Sequence, residues 1–479
     1  MVLRDPALQR LRRRRVPTWW QDAKLGIFVH WTPASVPGFA PVDMEINSLM
    51  ASGRRDALAW SPYAEWYENS LRFADSPVAQ HHATVYGGRP YTDFAAVWEA
   101  ALEQWDPDAW AARFAATGAR YVVLVTKHHD GYCLWPSGVA NPHRANWHAS
   151  RDVVGELGEA VRAAGLRFGV YYSGGLDWTF DDRPMGSFAD MIAAIPRADY
   201  PAYADAQVRE LIARYRPSVL WNDIAWPAEA KRLWELFEHY YRQVPDGVVN
   251  DRWMPWNAAF GAVRLSPVQR LVDAGVRRQA RRATGVVPPR PPHFDVRTPE
   301  YTVFPDVQRT PWESVRGMDH SFGFNAQSRG EDFLSHDELL WSFVDIVAKG
   351  GNLLINVGPR GRDAQISDEQ LTRLQWLTDW MDLHRDAVHA TRPWITSGTT
   401  TADGLDVRYT ARDDSVFAFV RRARASFTLA QLGATPTTCV SAGETEVAWR
   451  ETEAGIRVDG VTARGDEPVV LRFVDVVAR

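Results

Sequence analysis

The chain is poor in cysteine, has no strong excess of either charge and lacks long apolar runs. Its two cysteines, Cys133 and Cys439, are too few for a disulfide framework or a cysteine-rich metal site. Basic residues number 54 and acidic residues 59 among 479, and a net charge of −5 gives no general attraction for phosphate backbones. No apolar stretch approaches the roughly 18 residues of a membrane-spanning helix. These absences exclude a disulfide scaffold and disfavour nucleic-acid and membrane partners.

A secretory signal is also missing from the N-terminal segment. Arg12–Arg15 lead into Val-Pro-Thr-Trp-Trp and then into polar residues, whereas a signal peptide places about 7–15 apolar residues after its basic start. We therefore expect a cytoplasmic location for the chain as given. The sequence leaves the oligomeric state open and is compatible with a homo-oligomer.

What the chain does contain is a long alternation of short apolar runs and amphipathic segments. In one such segment Val154, Leu157 and Val161 recur at helical spacing. No nucleotide-binding glycine fingerprint opens any of these units. The alternation predicts a parallel α/β architecture, and the missing fingerprint favours a (β/α)8-like (TIM-type) barrel over a doubly wound sheet. The predicted strands are Leu25–Trp31, Tyr121–Lys127, Leu166–Ser173, Ser218–Asp223, Val248–Arg252, Ser321–Asn325 and Asn352–Gly358.

The pattern changes after about residue 390. Short alternating stretches are then separated by turn signals such as Asp459-Gly460, which predicts a small C-terminal antiparallel β-sandwich. We predict a catalytic barrel domain at residues 1–390 and a sandwich domain at residues 391–479. Residues 256–297 interrupt the barrel pattern with eight arginines and a Pro-Pro-Arg-Pro-Pro run, and we interpret them as a functional lid or a partly ordered insertion.

Polar residues follow several predicted strands at the points where the strands end. Asp223 ends one strand and is followed by Ile-Ala-Trp-Pro. The carboxyl ends of barrel strands form one rim, where such enzymes carry their active sites. A carboxylate there is placed as a nucleophile or general base, although Asp before Pro-Ala-Glu-Ala also suits a helix N-cap.

His128 and His129 invite a metal interpretation, which the sequence does not favour. Adjacent side chains on a strand point to opposite faces, and no cysteine cluster completes a site. We therefore predict no metal and no cofactor. The imidazoles suit hydrogen bonding to ligand hydroxyls, with buried structural histidines as the alternative.

Tryptophan is abundant, with 22 residues. His30 precedes a tryptophan and Glu65 precedes Trp66, and such pairs of a polar group and an indole suit a sugar pocket. The alternative for each is a tryptophan packed in the core. Glu300 by itself resembles an ordinary exposed carboxylate, so its candidacy depends on pairing with Asp223. No Gly-x-Ser-x-Gly elbow is present, which argues against a serine hydrolase.

Nine motifs occur in an order that resembles the α-L-fucosidases of glycoside hydrolase family twenty-nine. The resemblance spans about residues 17–395 and implies a retaining exo-glycosidase that releases terminal α-L-fucose from fucosylated glycans or glycosides. It leaves open a glycosidase for another sugar on the same scaffold and a non-catalytic carbohydrate-binding protein. The motifs are FVHWTPASVPGFAP, AEWY, KHHDGYCLWPS, GVYYSGGLDW, LWNDIAWP, VNDRW, RTPEY, WESVRG with SFGFN, and KGGNLLINVGPRGRD.

The resemblance also implies roles for individual residues. Asp223 corresponds to the nucleophile of the Trp-Asn-Asp strand, and Glu300 to the acid/base of a Thr-x-Glu-Tyr segment. Asp295 is the rival acid/base, because the insertion stands directly before this part of the chain. The implied sugar contacts are His30, Glu65, Trp66, His128, His129, Tyr171, Trp221, Arg252 and Phe322.

Overall fold

The computed structural model describes residues 5–282 and 285–479. Its strands are β1 (Leu25–Val29), β2 (Tyr121–Lys127), β3 (Arg167–Ser173), β4 (Val219–Asp223), β5 (Trp226–Glu229), β6 (Val248–Val249), β7 (Pro255–Trp256), β8 (Trp312–Arg316), β9 (Gly351–Val357), β10 (Arg392–Thr400), β11 (Asp406–Arg412), β12 (Ser415–Val420), β13 (Ser426–Leu429), β14 (Leu432–Ala442), β15 (Thr445–Glu446), β16 (Ala448–Thr452), β17 (Gly455–Asp459) and β18 (Val469–Ala478).

Helices surround the parallel strands. The α-helices are α1 (Pro6–Arg12), α2 (Thr18–Ala23), α3 (Ile46–Ser52), α4 (Tyr67–Leu71), α5 (Pro77–Tyr86), α6 (Asp93–Ala101), α7 (Pro107–Ala116), α8 (Val153–Ala163), α9 (Phe188–Ala193), α10 (Tyr200–Tyr215), α11 (Ala230–Gln243), α12 (Ala258–Ala262), α13 (Ser266–Ala280), α14 (His336–Ala348) and α15 (Asp368–Val388). Short 3₁₀ helices cover Pro33–Ser35, Ala57–Trp60, Ala64–Trp66 and Gly330–Asp332.

Seven of the described strands form one parallel sheet in the order β6-β4-β3-β2-β1-β9-β8. Strand β1 pairs with β2 through Ile27 and Val122, and with β9 through Ile27 and Ile355. These strands are buried along their whole length and are mostly apolar, as expected where both faces of a sheet are covered.

An irregular segment at residues 295–300 closes the sheet into a barrel. On one side the Val249 carbonyl accepts from the backbone N–H of Asp295 at 3.0 Å and of Val296 at 3.2 Å. On the other side Glu313 N–H donates to Arg297 O at 2.8 Å, and Val315 N–H donates to Pro299 O at 2.9 Å. The segment therefore stands between β6 and β8 as the eighth member of the ring, and the predicted (β/α)8-like barrel is confirmed.

One predicted strand is wrong. Residues 321–325 form bends rather than a strand, and β8 lies nearer the N-terminus, at Trp312–Arg316. The reason is local, because the Asp319 carboxylate accepts from Ser321 N–H at 3.1 Å and the Ser321 hydroxyl donates to Gly323 O at 2.8 Å. These local hydrogen bonds bend the backbone, so that it does not pair with a neighbouring strand.

Most tryptophans serve the core between the barrel and its helices. Trp31, Trp98 and Trp110 are buried together, with the ring of Trp31 4.7 Å from that of Trp98 and 5.1 Å from that of Trp110. The core interpretation is therefore correct for Trp31, which follows His30.

Two antiparallel sheets follow α15 and confirm the predicted β-sandwich. Among the described residues, one sheet has the order β10-β11-β12-β18-β14-β15 and the other the order β13-β17-β16. Apolar residues of both sheets, including Val407, Phe427 and Phe473, share one buried cluster. The sandwich binds α14 of the barrel, where the Asp337 carboxylate accepts from Arg421 at 2.7 and 2.9 Å.

Within the insertion at residues 256–297, helices α12 and α13 lie at the carboxyl-terminal rim of the barrel. Helix α13 packs against α3 and α9, which follow β1 and β3 respectively. Asp273 accepts from Ala189 N–H at 3.0 Å, and Asn47 donates to Ala280 O at 3.0 Å. In the described part of the chain, no helix is both long enough and apolar enough to cross a membrane.

Candidate active site

Asp223 ends β4 at the carboxyl-terminal rim and receives three hydrogen bonds. Tyr171 Oη donates to its Oδ2 at 2.9 Å, while Ile224 N–H and Arg252 Nη1 donate to its Oδ1 at 2.9 and 3.1 Å. The N-cap alternative is wrong, because the next helix begins at Ala230 with Glu229 as its N-cap.

The backbone turns sharply directly after this carboxylate. Ile224 and Ala225 have φ values of 68° and 139°, a region that residues with a side chain seldom adopt. The Asn222 amide holds the turn by donating to Ala225 O at 2.8 Å and to Arg252 O at 2.9 Å. Strain of this kind concentrates at functional sites. Here the strained turn fixes the direction of the backbone directly after Asp223, at the end of β4.

Arg252 connects Asp223 to a second carboxylate. Its Nη2 lies 2.7 Å from Glu300 Oε1, and its Nε donates to Thr298 Oγ1 at 3.2 Å. The guanidinium carbon lies 4.8 Å from the centre of the Trp221 ring, as in a cation–π contact. Burial lowers the pKa of Arg252, but the Glu300 and Asp223 carboxylates outweigh it and raise the pKa above the ordinary arginine value.

Glu300 is buried in the segment that closes the barrel. Burial raises the pKa of Glu300 above the ordinary value, the Arg252 guanidinium lowers it, and the Asp223 charge raises it again, so that the net change is upward. Tyr63 Oη donates to Glu300 Oε2 at the long distance of 3.5 Å. A carboxyl group that keeps its proton to higher pH suits a general acid.

Asp295, the rival acid, lies at the other end of the same segment. Its Oδ2 accepts from Tyr241 Oη at 2.8 Å and from Val249 N–H at 2.9 Å. These bonds tie Asp295 to α11 and β6, whereas Glu300 shares a guanidinium with Asp223. The geometry therefore favours Glu300.

His30 and His129 are buried and neutral. His30 Nδ1 lies 2.5 Å from Asn356 Oδ1, and His129 Nδ1 lies 2.7 Å from Ser173 Oγ. Burial lowers the pKa of each imidazole to about 4. Ser173 Oγ donates its own proton to Leu176 O at 2.7 Å, so His129 Nδ1 is the donor and its Nε2 is left as an acceptor.

His128 stands between these two imidazoles. Its ring lies 4.0 Å from the ring of His129 and stacks on that of Tyr171 at 5.8 Å. Burial lowers the pKa of His128 well below the ordinary value. Its Nδ1 is buried without a hydrogen-bond partner among the described residues. Such an atom is costly to bury unless a bound hydroxyl or water satisfies it.

Glu65, Trp66 and Phe322 border the histidines. Glu65 Oε2 accepts from Gly323 N–H at 2.8 Å, and burial raises the pKa of Glu65 to about 8. Trp66 meets the His129 ring edge-on at 5.1 Å, and Phe322 stacks on His30 at 5.2 Å. Polar side chains and flat aromatic rings thus alternate within one cluster of contacting residues.

Trp221 packs against Tyr171 in the same cluster. It stacks beneath Tyr171 at 5.3 Å, and its Nε1 donates to Glu313 Oε1 at 3.0 Å. Burial raises the pKa of Glu313 to about 7. All eleven predicted site residues are therefore linked by direct contacts or through one shared neighbour.

Sequence reasoning did not single out several partners of this site. Asn356 near the end of β9 and Ser173 at the end of β3 obey the strand-end rule that found Asp223. Tyr63 lies in a loop and Glu313 lies inside the barrel, where no sequence pattern marks them. In the portion of the chain that the structure describes, no group of three or more His, Cys, Asp or Glu side chains is arranged to hold a metal ion.

Comparisons with known proteins agree with this geometry. The family model for α-L-fucosidase matches residues 4–386. An α-L-fucosidase of Branchiostoma floridae is 30% identical, over 87% of this chain and 81% of its own length. The chain belongs to the α-L-fucosidase family. The members of this family are glycoside hydrolases, so the predictions of the family and of an enzyme are confirmed.

Solved structures of the family extend the similarity over both parts of the chain. The Thermotoga maritima α-fucosidase in complex with fucose has a TM-score of 0.79 at 35% identity, and the match covers 97% of this chain and 99% of that one. The same enzyme in complex with a mechanism-based inhibitor has a TM-score of 0.80 at 35% identity, with 97% and 98% covered. The match therefore includes the C-terminal sandwich as well as the barrel.

Proposed function

We propose that the protein hydrolyses terminal α-L-fucose with retention of configuration, through a covalent glycosyl-enzyme intermediate. The observation that carries this proposal is the single guanidinium of Arg252, which binds Asp223 and Glu300 together at the barrel rim. Retaining glycosidases need two carboxyl groups about 5–5.5 Å apart, on either side of the scissile bond. A relative whose structures hold fucose and a mechanism-based inhibitor supports the substrate class.

In the first step Asp223 attacks the anomeric carbon. A bond forms between the carboxylate oxygen and this carbon as the bond to the leaving oxygen breaks, and Glu300 gives its proton to that oxygen. Tyr171 and Arg252 hold the Asp223 carboxylate in position by donating hydrogen bonds to it. The neutral imidazoles nearby add no positive charge to oppose the oxocarbenium-like transition state.

In the second step Glu300, now ionised, removes a proton from water. The resulting hydroxide attacks the anomeric carbon, and Asp223 leaves as a carboxylate. Arg252 contributes to both steps, because its guanidinium contacts both carboxyl groups and stabilises whichever of them is charged. This role is in addition to the contact with a sugar hydroxyl that the resemblance implies for Arg252.

The remaining residues bind the sugar in this proposal. His129 offers Nε2 as an acceptor, and His128 contacts both His129 and His30, so the three imidazoles suit a row of ring hydroxyls. Glu65, protonated at neutral pH, donates one more hydrogen bond. Trp66 and Phe322 flank the apolar side of the sugar near its 5-methyl group.

The test is nitrophenol release from 4-nitrophenyl α-L-fucoside beside a panel of other aryl glycosides. We expect release from the fucoside alone, and its loss in Asp223→Gly. Asp413→Gly is the matched control, because Asp413 is exposed in a sandwich turn and has a φ of 54°, which glycine accepts. Cleavage of another sugar alone would overturn the specificity, and an inactive protein that binds fucose would favour a carbohydrate-binding role.

Proton NMR of the first released sugar tests the mechanism separately. Retention predicts that α-L-fucose appears first and then mutarotates. The β-anomer as the first product would contradict the glycosyl-enzyme intermediate, even if the fucoside is cleaved.

A further inference from the structure

Val286, in the last part of the inserted segment, pairs with the backbone of Glu300. Val286 N–H donates to Glu300 O at 3.0 Å, and Glu300 N–H donates to Val286 O at 2.8 Å. The two residues thus exchange both backbone hydrogen bonds, as an antiparallel pair does. Both backbone polar groups of Glu300 depend on this one residue.

The opposite edge of the same segment is bound to the barrel. Tyr301 N–H donates to Val315 O at 3.0 Å, and Val315 N–H donates to Pro299 O at 2.9 Å. Tyr301 has a φ of 49°, so the chain turns out of the segment directly after Glu300. Glu300 therefore stands between β8 on one side and the insertion on the other.

Gly285 allows the insertion to come this close. A Cβ atom at this position would lie 2.2 Å from Glu300 O and 2.9 Å from Tyr301 O. Both atoms belong to the backbone, so neither can rotate away. Any side chain at residue 285 must push the insertion and the Glu300 segment apart.

Val286 also packs into the wall of the candidate site. Its side chain joins an apolar cluster that includes Trp66, Tyr63 and Ile224, the residue that follows Asp223. Helix α13, which precedes Val286 in the chain, is held by the hydrogen bonds of Asp273 with α9 and of Ala280 with α3. The insertion is thus held both through α13 and through its pairing with Glu300.

We propose that Gly285 and Val286 are positioning residues for the general acid, and that the insertion acts chiefly by fixing Glu300 rather than only by covering the pocket. This inference rests on the proposed function, since it concerns the proton that Glu300 gives to the leaving oxygen. Neither residue touches the reacting atoms.

A leaving-group comparison tests the proposal with Gly285→Ala. Phenoxide needs protonation as it leaves, whereas 2,4-dinitrophenolate departs without it. Because a positioned acid is worth about 10²- to 10⁴-fold, we expect kcat/KM to fall at least about tenfold more for phenyl than for 2,4-dinitrophenyl α-L-fucoside. Glu300→Ala should change the ratio of the two values in the same direction and further.

Gly275→Ala is the matched control. It is the same substitution in the same insertion, but a Cβ atom at residue 275 meets nothing within 4 Å. We expect this variant to keep the wild-type ratio. Val286→Pro is the second test variant, because it removes the N–H that donates to Glu300 O.

The ratio of the two kcat/KM values does not depend on the fraction of active protein, so a partly unfolded preparation still gives a result. An unchanged ratio in both Gly285→Ala and Val286→Pro would overturn the positioning role. A wild-type protein that cleaves neither fucoside would instead contradict the proposed function.

Discussion

Glu65 contributes to the pH dependence of this protein's stability, and Glu65→Gln should remove that contribution. The carboxyl group is buried, accepts from Gly323 N–H at 2.8 Å, and has a pKa raised from 4.5 to about 8. A group whose pKa is raised by folding stabilises the folded state fully below its unfolded pKa. This contribution is lost as the pH rises through the folded value.

The size of the effect follows from the two pKa values. Between pH 5 and pH 9 the unfolded carboxyl is largely ionised while the folded one keeps its proton up to about pH 8, which costs about 4 kcal/mol in the free energy of unfolding. A glutamine has the shape of the protonated acid and does not titrate. We therefore expect Glu65→Gln to match the wild type at pH 5 and to exceed its stability by about this amount at pH 9.

Urea unfolding followed by tryptophan fluorescence at several pH values measures the difference. Other buried groups titrate equally in both proteins, so subtraction isolates Glu65. Glu453→Gln, at an exposed site in the sandwich, is the matched control and should follow the wild type throughout. Parallel curves for Glu65→Gln and the wild type would refute the assignment of a protonated, buried Glu65.

Two further predictions concern a catalytic group and a structural one. The kcat/KM for 4-nitrophenyl α-L-fucoside should fall on the alkaline side with an apparent pKa above 4.5, because burial keeps Glu300 protonated; an identical alkaline limb in Glu300→Ala would assign it to another group. Lys127→Met should cost roughly 3–5 kcal/mol in urea unfolding, because it leaves Asp177 charged and unpaired where both side chains are fully buried at 2.7 Å. Adding Asp177→Asn should recover most of this loss, and an equal loss in the double variant would mean that the ion pair is not its source.

The sequence predicted best what depends on regular strands. Asp223 was identifiable because an apolar run ends at it, and strand ends in a barrel converge whatever the details of packing. His128, Tyr171 and Arg252 follow the same rule. The contact between Arg252 and both carboxylates was not predictable, because it depends on side-chain directions that spacing does not specify.

Prediction is weakest where hydrogen bonds of side chains replace the backbone pairing between strands. Residues 321–325 have the composition of a strand, yet Asp319 and the hydroxyl of Ser321 satisfy the backbone locally. Glu300 lies in a segment with no strand pattern, so only its pairing with Val286 and Val315 reveals that it completes the barrel. The sequence likewise left Asp295 and Glu300 as rivals, because their separation in space is set by the twist of that segment.

The eighth member of the barrel has a consequence for protein engineering. Asp223 is built into a regular strand and cannot be moved without disturbing two neighbours. Glu300 instead lies on an irregular connection whose backbone is held by a few hydrogen bonds at either edge. Substitutions in this connection that keep Thr298, which accepts from Arg252, should therefore shift the proton donor first, while Asp223 stays fixed on β4. Such variants would allow leaving-group preference to be varied with little change in the sugar that is recognised.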